Sequence, residues 1–379
     1  MNKDDQANEG NAMRKYKRGK KNILKVILII LLVTAVGFGG YVVYGSYRIK
    51  QLSSMTFKEM LAYTTKDNKN AVITVGIVQN GKMTYDVYGE NGSILPKEEH
   101  IYEIGSITKT FTTSLLCKAI SEGRINLDDS IGNYLTLQNK EYYPTIRRLV
   151  THTSGYKGNY IEKPMISNLL HKQNSFNGIS KEMLLERLGE INLDDSDHSF
   201  KYSNFGMATL GAVLEQIYDK DYTPLINDYI SDDLGLTDTK ISDGSGDLRN
   251  YWKWSESDAY MPAGALVSNI TDMMQYVKIQ MDEELPYLSI AHEALAEVNA
   301  TSGSYAKMGI RIDSVGAGWI IDQENNIIWH NGGTGNFNSY IGFDKENQIG
   351  VVVLSNLAPN DRIPATVMGI EILTSLQGK

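Results

Sequence analysis

The sequence predicts an α+β fold. It is read as an antiparallel β-sheet flanked by helices, with a helical region of approximately residues 110–255 inserted between the first and last strands and one N-terminal transmembrane helix in front. Three observations carry this. Two extended runs, Ala71–Val78 and Met83–Gly89, meet at Asn80-Gly81, the strongest short hairpin signal. In the C-terminal third, strand-like runs at Gly316–Asp322, Asn326–His330, Asn338–Phe343 and Gly350–Ser355 are joined by short turns, and consecutive strands so joined pair antiparallel. Between these two sets the apolar residues recur at helical spacing, as in Phe111, Leu115, Leu116 and Ile120 and again in Met207, Leu210, Val213, Leu214 and Ile217.

In chain order, residues 1–22 form a polar tail ending in Arg14, Lys15, Lys17, Arg18, Lys20 and Lys21. Residues 23–45 contain the uncharged run Val26–Tyr44, long enough to cross a hydrocarbon layer of about 30 Å as a helix. The basic flank places the N-terminus in the cytoplasm and the body outside, as a single-pass protein of the cell membrane. A cleaved signal peptide competes, because Ala35-Val36-Gly37 is a faint cleavage-like site. The length of the run and the aromatics Tyr41, Tyr44 and Tyr47 favour an uncleaved anchor. Residues 46–56 read as a tether and residues 57–379 as the body, opened by a helix from Phe57 to about Thr65 that Thr56 caps.

Charge excludes one class of function. Residues 1–45 carry eight Lys/Arg and three Asp/Glu, a balance of +5, so a chain of net charge −8 leaves −13 to the remainder. A body that acidic is no nucleic-acid binder, since such binding rests on neutralising phosphates. The single cysteine, Cys117, permits no intramolecular disulfide and reads as a buried structural thiol.

Further elements follow from local pattern. The helix after Ser106 ends at Gly123, and a turn covers Leu127–Ile131. Residues 156–200 read as the loop-rich wall of a cleft, with one helix from Lys181 to Leu188. Trp252, Trp254 and Tyr260 either floor a pocket or belong to the core. Helices are expected from about Thr271 to Met281 and from Ile363 to Leu376.

The chemistry concentrates in Tyr102-Glu103-Ile104-Gly105-Ser106-Ile107-Thr108-Lys109. Positions three apart on a helix share a face, so a helix beginning near Ser106 puts its hydroxyl within reach of the Lys109 amine. A serine hydroxyl needs a base, and a lysine serves only when neutral, a state that burial or a nearby cation favours. A helix N-terminus adds backbone N–H groups aimed at developing negative charge. Ser304-x-x-Lys307 has the same spacing but no long apolar helix after it, and reads as a chance match. His152 and Ser154 lie too close in sequence to face each other productively. His292-Glu293 lacks a second histidine at zinc spacing, so neither a metal nor another cofactor is expected. A Gly-x-Ser-x-Gly elbow is also missing from the sequence.

Three segments then stand in a telling order: Ser106-x-x-Lys109, Tyr202-Ser203-Asn204 and His330-Asn331-Gly332-Gly333-Thr334-Gly335. With Leu149–Gly155, Pro262-Ala263-Gly264 and His330-x-Gly332, they make residues 58–377 resemble the serine β-lactamase and penicillin-binding protein superfamily, for which the S-x-x-K motif is established. The resemblance is strongest to the branch of class C β-lactamases, D,D-carboxypeptidases, D-aminopeptidases and related esterases, and it implies a β-lactamase/transpeptidase-like fold.

The resemblance assigns roles by position. Ser106 is the acylated nucleophile, Lys109 its base, and Tyr202 a proton carrier for the leaving group and the deacylating water. Asn204 is expected to hold the lysine and bond substrate. His330 stands where lactamases carry a lysine. Gly332 keeps the strand edge clear for substrate, and the Gly333 amide joins that of Ser106 as the oxyanion hole. A strand-borne cation or imidazole is expected to help keep Lys109 neutral. Because histidine is mostly neutral near pH 7, it anchors a substrate carboxylate less firmly than lysine. The implied function is therefore a membrane-anchored, extracytoplasmic serine hydrolase acting on D-alanyl peptides or esters of the bacterial cell envelope, with at most weak β-lactam hydrolysis. A penicillin-binding sensor with little turnover and a class C-like β-lactamase are the alternatives.

Overall fold

The computed structural model describes residues 54–138 and 140–378. The expected tail, anchor and nearly all of the tether therefore lie outside the described residues, and among those described no helix is long and apolar enough to cross a membrane. The body, Met55–Lys379, opens with α1 (Phe57–Thr64), which Thr56 caps as expected and where Glu59 bonds back to complete a reciprocal capping box.

Among the described residues the main sheet has nine strands. Its core is β1 (Ile73–Gln79), β2 (Lys82–Tyr88), β10 (Ile327–Gly333), β11 (Asn338–Asp344) and β12 (Ile349–Ser355), and shorter pieces extend it: β3 (Ile94–Leu95), β7 (Ala296–Glu297), β8 (Ser314–Val315) and β9 (Ile320–Asp322). Every pair is antiparallel, in the order β3-β2-β1-β12-β11-β10-β9-β8-β7. The first long strand thus lies beside the last, with Ile73 opposite Ser355 and Gln79 opposite Ile349. Alternation decides the two faces. Tyr340 meets helix α5 (Ala365–Leu376), whose Gly369 leaves room for its ring, while Gly350 and Gly76 meet Val277 and Met274 of α4 (Ile270–Asp282).

Two differences from expectation have local causes. The expected strand Gly316–Asp322 shrinks to β9, because Gly316 N–H bonds to Trp319 O and Gly318 takes φ +73°, turning the chain. A second sheet of β4 (Tyr102–Glu103), β6 (Leu266–Ser268) and β5 (Lys240–Ile241) was not legible, since two- and three-residue strands are too short to show alternation.

Helix α2 (Thr108–Ser121) is central, and all of its residues from Thr108 to Cys117 are buried. Its polar side chains survive burial by bonding back to the helix: Thr112 Oγ1 donates to Thr108 O at 3.1 Å and Thr113 Oγ1 to Lys109 O at 3.0 Å. Cys117 lies in this helix fully buried, its thiol pushed up to about 12 by desolvation first and Glu293 second, which leaves it an inert core residue.

Candidate active site

Ser106 does not sit in the α-helix but one step before it, in a single 3₁₀ turn, Gly105–Ile107, that leads into α2. The tighter turn still brings the expected pair together. Lys109 Nζ donates to Ser106 Oγ at 2.8 Å and to the Ala263 carbonyl at 2.6 Å. Lys109 is completely buried, and desolvation holds its amine well below the ordinary lysine range. A proton can therefore pass from Ser106 to Lys109 without a prior loss from the amine.

Tyr202 closes the group from the segment that leads into the next long helix. Lys109 Nζ lies 4.9 Å from the centre of its ring. Burial pushes the phenol up, and a hydrogen bond with the Ser106 side chain acts in the opposite direction. Tyr202 immediately precedes helix α3 (Asn204–Tyr218), whose N-cap, Ser203, accepts from Gly206 N at 2.9 Å and donates to Lys157 O at 2.7 Å. The cap fixes where the chain enters the helix and so fixes the tyrosine.

The third segment arrives on β10. This strand is interior only in part: β9 pairs with Ile327–Trp329, so His330–Gly333 present a local free edge beyond it. Gly332 and Gly105 allow this edge to lie against the Ser106 turn. A Cβ on Gly332 would stand 1.9 Å from Ile104 O, and one on Gly105, itself at φ +50°, 2.6 Å from Gly333 N. Gly332 is thus required by strand-to-turn packing, whereas access for substrate was the reason expected from sequence. Gly332→Ala is expected to cost about 1–3 kcal/mol of stability through forced backbone displacement, and to slow acylation. Thermal melting alongside covalent labelling checks both, and a variant with unchanged melting and labelling contradicts the packing account.

Two sequence-based expectations need correction. Asn204 does not hold the lysine: it is the first residue of α3, and its amide donates outward to Asn159 Oδ1 at 3.2 Å, while the Ala263 carbonyl takes the place beside Lys109. No imidazolium keeps Lys109 neutral either. His330 is buried and held down to about 3, by desolvation first and by Lys109 second. Its Nδ1 donates to Asn331 O at 2.7 Å, so the buried Nε2 carries no proton. Burial of the amine itself is the cause of its lowered basicity.

Sequence reasoning missed two participants. His152, set aside with Ser154, packs its ring 4.6 Å from that of Tyr202 and accepts from Ser203 N at 3.2 Å through Nδ1. Desolvation, then Lys109 and His330, hold it well below the usual histidine range, making it a neutral wedge behind the tyrosine. Its φ of +59° was the feature a sequence does not display. Ser154, by contrast, serves only to accept from Tyr156 N at 3.3 Å. The second is Glu103, which accepts from Trp252 N and, at 2.5 Å, from Thr334 Oγ1, tying the Ser106 turn to the loops on either side. Burial raises its carboxyl to about 7 against those two hydrogen bonds. Of the three aromatics expected at a pocket floor or core, Trp252 and Trp254 line a groove of about 650 Å³, while Tyr260 is buried and stacks on Phe176 at 4.7 Å.

Ser106, Tyr202, Gly332 and Gly333 all line one cleft of about 460 Å³. Ser304 and Lys307, the other pair at this spacing, are exposed around a four-residue helix, Gly303–Ala306.

Comparison with known proteins identifies a family and related folds. A family profile described as Beta-lactamase matches residues 57–367. Protein flp of Staphylococcus aureus is 23% identical over 308 residues, covering 74% of this chain but only 58% of the relative. The chain therefore spans rather more than half the length of that relative. D-alanyl-D-alanine-carboxypeptidase/endopeptidase AmpH of Escherichia coli is 22% identical, with 80% of this chain and 84% of the relative covered. Among solved structures, a β-lactamase/D-alanine carboxypeptidase from Yersinia pestis superposes with a TM-score of 0.64 at 19% identity, covering 88% of this chain and 99% of its own. A class C β-lactamase from Rhodobacter sphaeroides gives 0.61 at 18% identity, with 81% and 95% covered. At such identities these superpositions establish the fold.

Proposed function

This chain belongs to the β-lactamase family, and from that premise we propose that it is a serine hydrolase anchored in the cell membrane with its body outside, acting on D-alanyl peptides or esters of the bacterial cell envelope. The observation that carries the reading is the 2.8 Å contact between Ser106 Oγ and a fully buried Lys109 amine. Ser106 Oγ attacks the substrate carbonyl carbon as its proton passes to Lys109 Nζ. Negative charge collects on the carbonyl oxygen, facing the backbone amides of Ser106 and Gly333. Loss of one such donor typically costs about 3–4 kcal/mol of transition-state stabilisation. The intermediate collapses to a Ser106 ester as the leaving nitrogen or oxygen takes up a proton through Tyr202. Water, activated along the same path, then releases the acid and restores the serine.

The carboxypeptidase named among the relatives supports D-alanyl chemistry. The uncharged run Val26–Tyr44 behind a basic flank supports the anchor, which would hold the enzyme near a substrate outside the cell. Intact-mass spectrometry of the full chain, incubated in turn with a penicillin, a D-alanyl-D-alanine peptide and a D-alanyl ester, tests the reading. The expected result is a transient Ser106 adduct with product release from peptide or ester. An adduct that persists for hours with every compound identifies an acylable sensor instead.

The pH dependence has a definite sign. Acylation needs the neutral amine, so its rate falls as pH drops through the lowered pKa of Lys109. His330 is held down to about 3 and burial holds His152 well below the usual histidine range, so neither is expected to titrate where an ordinary histidine does. Acylation rates measured across that range should show no step that disappears in His152→Gln.

A further inference from the structure

The cleft above Ser106 has a composition unlike that of a site for a charged group. One wall is the sheet face that carries Trp329 of β10 and, paired beside it, Ile320 of β9, and Val367 of α5 with Met308, Ile310 and Ile312 adds further apolar lining. Its polar side chains are those of Ser106, Tyr202, Tyr305, Asn331, Asn338 and Thr366, beside exposed backbone, and no Lys, Arg, His, Asp or Glu is among the described residues that line it. The nearby cations are engaged elsewhere or lie outside it. Arg311 pairs with Asp313 and Glu324, Arg362 bonds to Tyr63 O, and Lys201 and Lys307 are exposed and off the lining. His330 is buried behind the strand and neutral.

We propose that this cleft takes an uncharged apolar portion of an ester or amide substrate, an alkyl or aryl group beside the scissile bond, and not a free carboxylate. The proposal rests on Ser106 acting as the nucleophile. A carboxylate placed here would lose water without gaining a cation, a net penalty. An alkyl group would instead gain roughly three- to four-fold in binding for each methylene it buries. A volume of about 460 Å³ falls in the range of ordinary ligand pockets. The chemistry is unchanged: Ser106 Oγ forms the acyl ester, the alcohol or amine leaves with a proton, and water hydrolyses the ester to the acid.

The test uses the full chain and two ester series, one lengthened on the acyl side from acetyl to octanoyl and one on the alcohol side from methyl to octyl. A D-alanyl-D-alanine peptide is included as the free acid and as its methyl ester. We expect kcat/KM to rise at least ten-fold along one series and the methyl-ester peptide to exceed the free acid. Met308→Lys should flatten the long-to-short ratio, and Val367→Thr, of matched shape, should lower it; because the ratio is taken within each variant, a general loss of activity cancels. Flat dependence in both series, or preference for the free acid while Ser106 still acylates, overturns this inference and leaves the hydrolase reading standing. If no compound modifies Ser106, both fall.

Discussion

Ser106→Ala is expected to remove covalent labelling altogether and to lower kcat by about 10⁶-fold, the usual scale for losing a serine nucleophile, whereas Ser304→Ala changes neither. The two serines share the spacing to a lysine and differ in everything else. Ser106 receives a 2.8 Å hydrogen bond from a buried amine and stands at the mouth of a long buried helix. Ser304 and Lys307 are both exposed beside a four-residue helix with no buried face. Peptide mapping after fluorophosphonate treatment separates the cases. Label on the Ser304 peptide, or its survival in Ser106→Ala, would assign the wrong serine.

The second large effect pairs lost activity with gained stability. Lys109→Met is expected to lower kcat/KM by roughly 10³–10⁴-fold, the range of general-base catalysis, and to raise the melting temperature. The sign follows from linkage. In the folded chain the pKa of Lys109 lies well below its unfolded value of about 10.4. As pH falls from there, the unfolded chain binds a proton that the folded chain refuses, so at neutral pH the buried amine destabilises the fold. A methionine of similar volume fills the space without that cost, and a rise of about 2 °C or more is expected for a body of this size. Calorimetry at pH 7 measures it. A clear drop in melting temperature would mean that the amine is charged and stabilised in place.

Much of the architecture was legible because its signals are local. Asn80-Gly81 sets the first hairpin, and the runs that became β10, β11 and β12 span seven residues each and are separated by short turns. What stayed hidden depends on distant parts meeting. The pairing of β1 with β12 joins residues 270 to 282 positions apart, and the small sheet β4-β6-β5 has too few residues for any period.

The site divides the same way. Ser106, Lys109 and Tyr202 were legible as motif and meet in space. The reason for Gly332 was not, because the Ile104 carbonyl that excludes a Cβ comes from another strand-end. The lysine-holding part of the role given to Asn204 failed for a geometric reason: at the first position of α3 its side-chain amide bonds Asn159, and the Ala263 carbonyl holds Lys109. His330 was correctly read as neutral, yet the cause of the lowered Lys109 basicity lies in how deeply α2 is buried. Composition cannot show that depth, since Thr110, Thr112, Thr113 and Ser114 make the helix look half exposed.

The proton state of one amine decides the account. Heteronuclear NMR of the full chain with isotope-labelled lysine, with Lys109→Met identifying the resonance, follows Nζ of Lys109 through a pH titration. A Lys109 signal that is neutral at pH 7 and titrates far below the other lysines is the predicted result. A signal that stays protonated at pH 7 and titrates with the rest, near about 10.4, would contradict activation of Ser106 by this lysine.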